Sequence, residues 1–292
     1  MNKKNTAPTL LKITSLRPFK EHPYKVQDNE EMDTLTESIK ENGILTPLIV
    51  RPIENTGEYE IISGHRRLHA AQKAGLTEIP VLIRVLDRDS AAIAVVDSNL
   101  HREHIPPSEK AFAYRMKAEA LKHQGRRTDL TLGQVVPKSE DNRTTAEIGA
   151  VTNESYKTVQ RYIRLTYLIP EFLEKMDKGE IALSVGVELS YLNESRQQDV
   201  LEQCRMNDCT PSYSQAWRMH KAEREGLLTK DVIQFVMSEE KPNQREMVKV
   251  HADRLQDVLP KGMNAQKTEE FIIKACEHYR KYLIRQRSRG ER

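Results

Sequence analysis

Ser63-Gly64-His65-Arg66-Arg67 is the segment of this chain best equipped for anion chemistry. An apolar run, Tyr59 to Ile62, enters a Ser-Gly turn, and a helical pattern opens directly behind it. The first turn of a helix carries unpaired backbone N–H groups and the positive end of the helix dipole, so it attracts phosphate. Glycine at 64 lets the backbone come close to an anion. Arg66 and Arg67 add planar, permanently charged donors that suit phosphate oxygens. Standing alone, two arginines on a helix read more often as a solvated face than as a phosphate site. A second polar cluster, Asp97-Ser98-Asn99-Leu100-His101-Arg102-Glu103-His104, closes a later helix. Its Asn99 and Arg102 are three apart and share one helix face, an arrangement that clamps a phosphate or orients a metal-bound oxygen. His101 and His104 have no third ligand nearby and read as solvent-facing.

A third constellation lies in Thr145 to Leu165, which has the form of a helix-turn-helix. Its first helix is expected to bury Ile148 and Val151, with Thr152-Asn153 as the turn. Ser155 then caps a second helix that turns Val159, Ile163 and Tyr162 inward. The other face presents Ser155, Tyr156, Lys157, Thr158, Gln160, Arg161 and Arg164. Residues near the start of such a helix reach base edges in the major groove, where glutamine reads adenine and arginine reads guanine. Basic residues further along hold phosphates. The plainer reading is a helical hairpin with a polar outer face; cap, spacing and charge together favour DNA.

The elements that must position these groups change character along the chain. Residues 1–15 read as a loose polar leader. From Leu16 to about Arg102, strands and helices alternate: a helix over 34–42 stopped by Gly43, strands at 48–52 and 59–62, a helix over 65–74, and a strand over 80–86. This pattern predicts a compact α+β domain. Behind Pro106-Pro107, with Ser108 as cap, the sequence is almost wholly helical: a helix over 109–123, a polar surface loop over 125–143, and a helical group to about Cys204. Residues 246–254 read as a strand. The last helix, 267–287, carries an apolar stripe of Phe271, Ile272, Ala275, Tyr279, Tyr282 and Leu283. Between Lys274 and Arg292, seven basic residues stand against two acidic ones, a surplus of five positive charges. The stripe suits self-association and the basic end suits contact with DNA phosphate; a terminal helix packed on its own domain is the alternative.

Gly43 to Arg51, Gly64 to Ala70 and Ser98 to Arg102 occur in that order, and the helix-turn-helix follows. This ordered set resembles the ParB/Spo0J/Noc family of DNA-partition proteins over roughly residues 10–200. The resemblance implies a ParB/sulfiredoxin-like nucleotide-binding domain, residues 16–105, and an all-α helix-turn-helix DNA-binding domain, residues 106–205. A small, mainly helical dimerisation module, residues 215–292, follows. It implies CTP and Mg²⁺ as cofactors: a cytosine pocket at Gly43, Thr46 and Pro47, and a triphosphate held by Gly64, His65, Arg66 and Arg67. Asn99 and Arg102 complete the phosphate and Mg²⁺ environment, with Asn99 toward the metal. The implied protein is a homodimeric, CTP-gated clamp on double-stranded DNA with a parS-like site, working with a ParA-type ATPase in chromosome, plasmid or mobile-element segregation. Two departures from the family pattern stand out: Thr46 replaces a glutamine and Ser98 replaces an acid. A carboxylate at 98 would help hold Mg²⁺ and an attacking water, and neighbouring Asp97 points about 100° away around a helix. Binding of nucleotide is therefore expected ahead of efficient hydrolysis.

Two further readings stay open. A nucleoid-occlusion protein or transcriptional regulator shares this architecture. A free-serine-kinase-like enzyme shares the N-terminal fold and uses ATP, with Glu41, Glu60 or Asp97 as its base. The sulfiredoxin-type reductase is excluded, because no cysteine stands in Ser63-Gly64-His65-Arg66.

Composition agrees with these expectations. The 292 residues are 38% hydrophobic and 30% charged, so the chain can bury cores for two or three domains. The net charge of +3 leaves any affinity for a polyanion to local patches. Cys204, Cys209 and Cys276 form neither a disulfide framework nor a zinc motif. With no apolar signal core at the N-terminus and no apolar run longer than Ala91 to Val96, the expected setting is cytoplasmic, at the nucleoid or a plasmid, with no membrane partner.

Overall fold

The computed structural model describes residues 7–100, 102, 104–132, 140–239, 259–260 and 265–290. The chain divides into two compact units, residues 1–239 and 240–292.

The first unit begins with a mixed five-stranded sheet. Its strands are β1 (Thr9–Lys12), β2 (Leu16–Arg17), β3 (Leu48–Pro52), β4 (Tyr59–Ser63) and β5 (Glu78–Ile83), in the order β1-β5-β3-β4-β2. β3 runs antiparallel to β4 and parallel to β5. The stretch expected to be a loose leader thus includes an edge strand, paired antiparallel with β5 at Thr9–Val81 and Leu11–Ile79. Leu11 and Ile13 pack on the core, and that apolar contact holds the segment against the sheet.

Alternation along β4 divides the two faces of the sheet. Ile61 packs with Leu48, Val50 and the apolar sides of α1 (Glu30–Asn42) and α2 (His65–Lys73), which contribute Met32, Ile39 and Leu68. Ile62 packs with Phe19 and with Ala91, Ala92 and Val95 of α3 (Arg88–Asp97). Asn29 caps α1 by accepting from Met32 N at 3.1 Å, and Asp87 caps α3 by accepting from Ser90 N at 2.7 Å.

The helical half starts with α4 (Pro107–Leu132). Ser108 lies inside its first turn and does not cap it. Asp177 fills that role from a distance, accepting from Ser108 N at 2.9 Å and from its hydroxyl at 2.5 Å. The loop expected at 125–143 is replaced at both ends by helix, since α4 runs to Leu132 and α5 (Glu140–Thr152) begins at 140. α6 (Tyr156–Leu165), α7 (Pro170–Asp177), α8 (Leu183–Leu189), α9 (Glu194–Met206), α10 (Tyr213–Arg224) and α11 (Lys230–Ser238) follow.

The polar stretch near 208–214, expected to separate a domain ending at 205 from a module starting at 215, sits inside one packed unit. Ala216, Met219, Ile233 and Val236 of α10 and α11 share a core with Leu189, Leu201 and Phe172, and the unit runs to residue 239. Polar loop residues cover this core without dividing it. In the second unit, α12 (Ala265–Gly290) matches the long terminal helix; Tyr279, Tyr282 and Leu283 of its stripe are exposed. The strand expected over 246–254 lies outside the described residues. Among the described residues, no helix is long and apolar enough to cross a membrane.

Candidate nucleotide cradle and helix-turn-helix

The two polar segments far apart in sequence meet in one cavity of about 180 Å³. Its walls include Gly64, His65, Arg66 and Arg67 from the start of α2, and Asn99 and Arg102 from behind α3. No side chain caps α2, which leaves the N–H groups of its first turn unpaired where Gly64 to Arg67 line the cavity. Gly64 stands at φ 107°, and a Cβ there would lie 2.7 Å from Leu48 Cγ, so glycine is required.

The three arginines in the cavity are each tied to a different part of the fold. Arg67 donates to the carbonyl oxygens of Thr46 and, at 3.1 Å, Pro47, and burial lowers its affinity for its proton. Arg66 pairs at 2.9 Å with Glu31 in the first turn of α1. Arg102 lies over the Tyr24 ring at 5.5 Å. A second cavity of about 380 Å³ shares Lys25, Arg66 and Arg102 with the first. Thr46 and Pro47 reach the cradle only through Arg67, and neither they nor Gly43 are among the residues lining these cavities. Gly43 ends α1 at φ 67°.

Sequence inspection missed His22 and Tyr24, which enter from the loop behind β2. The His22 and His65 rings lie 3.7 Å apart. His65 is held neutral, its pKa pushed down to about 3 by burial and then by His22 and Arg102. His22 is shifted down as well, mainly by burial. Its Nδ1 donates to Tyr24 O at 2.8 Å, which leaves Nε2 as a lone-pair acceptor. Among the described residues, His22 Nε2 is the buried side-chain polar atom without a partner. Only the His22-Pro23-Tyr24 run hinted at it, and nothing in that run marks a pocket.

The cradle fits a polyphosphate better than it fits a metal. Asn99 donates through its amide nitrogen to Val95 O at 2.9 Å and to Ser98 Oγ at 3.2 Å, so its carbonyl oxygen is the atom suited to a cation. Asp97, the adjacent acid, is taken by the buried Lys117 of α4 at 2.6 Å. Glu60 is committed too: it pairs with Arg51 at 2.6 Å and accepts from Lys20 N at 3.0 Å. Neither of these two carboxylates, nor Glu41, lines the cavity.

The helix-turn-helix is built from α5 and α6. Asn153 takes φ 56° in the turn, and Ser155 caps α6 by accepting from Thr158 N at 3.1 Å. Gly149 lets the turn close, because a Cβ there would collide with the backbone oxygen of Glu154. Glu154 is anchored to α4 by Lys110 and by the Tyr114 hydroxyl at 3.0 Å. Ile148 and Val159 are buried, as their spacing predicts, whereas Val151 is 52% exposed in the last turn of α5, outside the contact with α6. Ser155, Tyr156, Lys157 and Arg161 are exposed, and Thr158 and Gln160 are partly so. Arg164 differs from them: its guanidinium donates to Ser190 O at 2.7 Å and Ser190 Oγ at 3.2 Å.

The first unit thus joins a mixed α+β domain, with a cationic cavity at the start of α2, to a helix-turn-helix. Residues 1–100 match the family model of the ParB N-terminal domain. The chromosome-partitioning protein Spo0J of Thermus thermophilus is 36% identical over 172 residues, 59% of this chain and 55% of that protein. The nucleoid occlusion protein of Geobacillus thermodenitrificans is 42% identical over 103 residues, 35% of this chain and 36% of that one. The chain thus spans about half the length of the first relative and about a third of the second. Two crystal structures of the C-terminally truncated ParB from Caulobacter crescentus align with this chain. The first, complexed to the centromeric parS site, has 21% identity and a TM-score of 0.42, covering 73% of this chain and 98% of that one. The second, complexed with CTP-γ-S, has 24% identity and a TM-score of 0.31, covering 67% and 97%.

Proposed function

We propose that this protein is a ParB-like, site-specific DNA-binding partition protein whose N-terminal domain is a CTP switch. The observation that carries the reading is the single cavity that gathers Gly64, His65, Arg66 and Arg67 with Asn99 and Arg102. Uncapped helix N–H groups and cations from separate elements suit the spread negative charge of a triphosphate. Gly43, Thr46 and Pro47 serve the cytosine, with Arg67 joining that segment to the phosphates. Mg²⁺, when bound with the nucleotide, neutralises phosphate charge; the Asn99 carbonyl oxygen is the protein atom that would hold it. With Asp97 engaged by Lys117, no carboxylate among the described residues at the end of α3 is placed to orient an attacking water, so turnover is slow.

The exposed face of α6, Ser155, Tyr156, Lys157, Thr158, Gln160 and Arg161, reads a parS-like site on double-stranded DNA. The stripe and basic end of α12 make the homodimer and an added DNA contact. The setting is the cytoplasm, on a nucleoid or plasmid, beside a ParA-type ATPase. Relatives named for partition and for nucleoid occlusion both match, so an occlusion role is the second reading.

Calorimetric titration with CTP and with ATP, for the natural protein and Arg66→Ala, tests this. CTP binding that the substitution weakens at least tenfold is the expected result. Preference for ATP would instead favour the kinase-like enzyme, and binding of neither nucleotide would leave a DNA-binding protein with an inert first domain.

A further inference from the structure

Arg164 sits on the reading helix, where its charge and position place it with the DNA-contacting residues, yet its guanidinium is turned into the protein. It lies over the Tyr167 ring at 4.5 Å and over the Tyr191 ring at 4.1 Å. Two of its nitrogens donate to Ser190 at the end of α8. Tyr191 in turn stacks on His220 of α10, 4.2 Å away with the rings 3° from parallel. His220 Nδ1 is held at 2.7 Å by Glu188 of α8. On the other side, Arg115 of α4 lies over Tyr167 at 5.9 Å and donates to Thr166 Oγ1 at 3.3 Å. A continuous run of planar groups thus connects α4, α6, α8 and α10.

We infer that Arg164 is a positioning residue that fixes the pose of the reading helix α6 against α8 and α10, and not a phosphate or base contact. This rests on the assignment of α6 as the DNA reader. A planar, delocalised cation stacked on two rings and bonded at the edge to a carbonyl is oriented in a way a lysine cannot reproduce. α6 needs such a brace. It is only ten residues long, Val159 packs it against Ile148 of α5 and Tyr114 of α4, and the bonds from Arg164 to Ser190 hold its C-terminal turn on the α8 side. A helix that reads base edges loses affinity when its axis shifts, even if every contacting side chain is retained.

Salt dependence separates the two roles. A residue that neutralises a phosphate contributes about 0.9 to the slope of log affinity against log salt, and removing it lowers the slope by that amount. A positioning residue lowers affinity and leaves the slope alone. The experiment uses the full chain and a duplex enriched by the natural protein from a random-sequence pool. Affinity is measured across a salt series for the natural protein, Arg164→Ala, Arg164→Lys, Tyr191→Leu and the Arg164→Ala/Tyr191→Leu pair, at a temperature where circular dichroism shows all to be folded.

The expected result is a loss of about tenfold or more in both alanine and lysine variants with an unchanged slope. Tyr191→Leu should weaken binding in the same way, and the double variant should fall short of the sum of the two losses. A slope reduced by about one in Arg164→Ala overturns the inference in favour of a phosphate contact. Full affinity with only a lowered melting temperature overturns it in favour of a purely structural residue. A pool from which the natural protein enriches nothing removes the DNA-reading role of α6, and this inference with it.

Discussion

Arg67 and Arg161 are both basic residues on short helices, yet the molecule treats them in opposite ways. Arg67 is half-buried and bound to carbonyls of another segment, in a cradle whose other members come from the start of α2, the loop behind β2 and the residues behind α3, with Arg66 paired to Glu31 of α1. Arg161 is exposed, on a helix whose other exposed members lie within a few residues of it. The cradle is a tertiary product, so it exists only when the sheet and three helices are assembled. The exposed face of α6 is a local product: one cap, one turn and the helical period make it. A perturbation should therefore spread through the first region and remain confined in the second.

The two tight glycines test this contrast most strongly. At Gly64, alanine meets both a backbone angle that disfavours a side chain and a clash with Leu48, a core residue. Together these should destabilise the first unit by about 2–4 kcal/mol in urea unfolding and abolish nucleotide binding. At Gly149 the clash is with Glu154 O alone, and alanine recovers some of the loss through its helix propensity. The expected destabilisation is smaller, about 1–2 kcal/mol, with weakened DNA binding and nucleotide affinity retained. Nucleotide affinity that falls equally in both variants would erase the distinction between the regions.

Acid should also distinguish them. His65 has a folded-state pKa of about 3 against an ordinary 6.5, and His22 is lowered in the same direction. Between those values the unfolded chain holds protons that the folded chain refuses. The stability is present in full above about pH 6.5 and is lost as pH falls toward 3, at up to about 1.4 kcal/mol per pH unit per group. Denaturation midpoints measured from pH 7 to pH 5 should fall for the natural protein and flatten in His65→Gln. An unchanged pH slope in the variant would show that another group governs acid sensitivity.

The same contrast explains what the sequence revealed. The helix-turn-helix was legible down to its cap at Ser155, because cap, turn and period are local signals. Strands at 48–52 and 59–63 and the helix at 65 were legible for that reason too. The arginines of the cradle showed their chemistry, but their partners did not. Glu31, His22 and Tyr24 are distant in sequence and carry no pattern that marks them. Arg164 is the complementary case: helical spacing groups it with the exposed residues of α6, and only the end of α8, backed by His220 of α10, decides where its guanidinium goes. Likewise β1 was hidden in a short, polar-flanked stretch that becomes a strand only by pairing with β5. The unit boundary was misplaced because a polar loop looks the same whether it separates two cores or covers one.

The smallest expected effect sharpens the cradle itself. Arg66 and Glu31 form an exposed pair, with side chains 36% and 73% accessible. Such a pair adds little to stability, so Glu31→Gln should change the unfolding free energy by no more than about 0.5 kcal/mol. Its effect on anions should be larger than its effect on folding. In the natural protein an entering phosphate competes with the Glu31 carboxylate for Arg66 and meets that carboxylate's repulsion. Glutamine removes both, so inorganic triphosphate should bind a few-fold more tightly at low ionic strength, with the gain shrinking as salt screens the charges. Calorimetry at two salt concentrations reads this directly. Unchanged or weaker binding would mean that Arg66 serves α1 rather than the ligand, and the cradle would then consist of Arg67, Arg102 and the open start of α2.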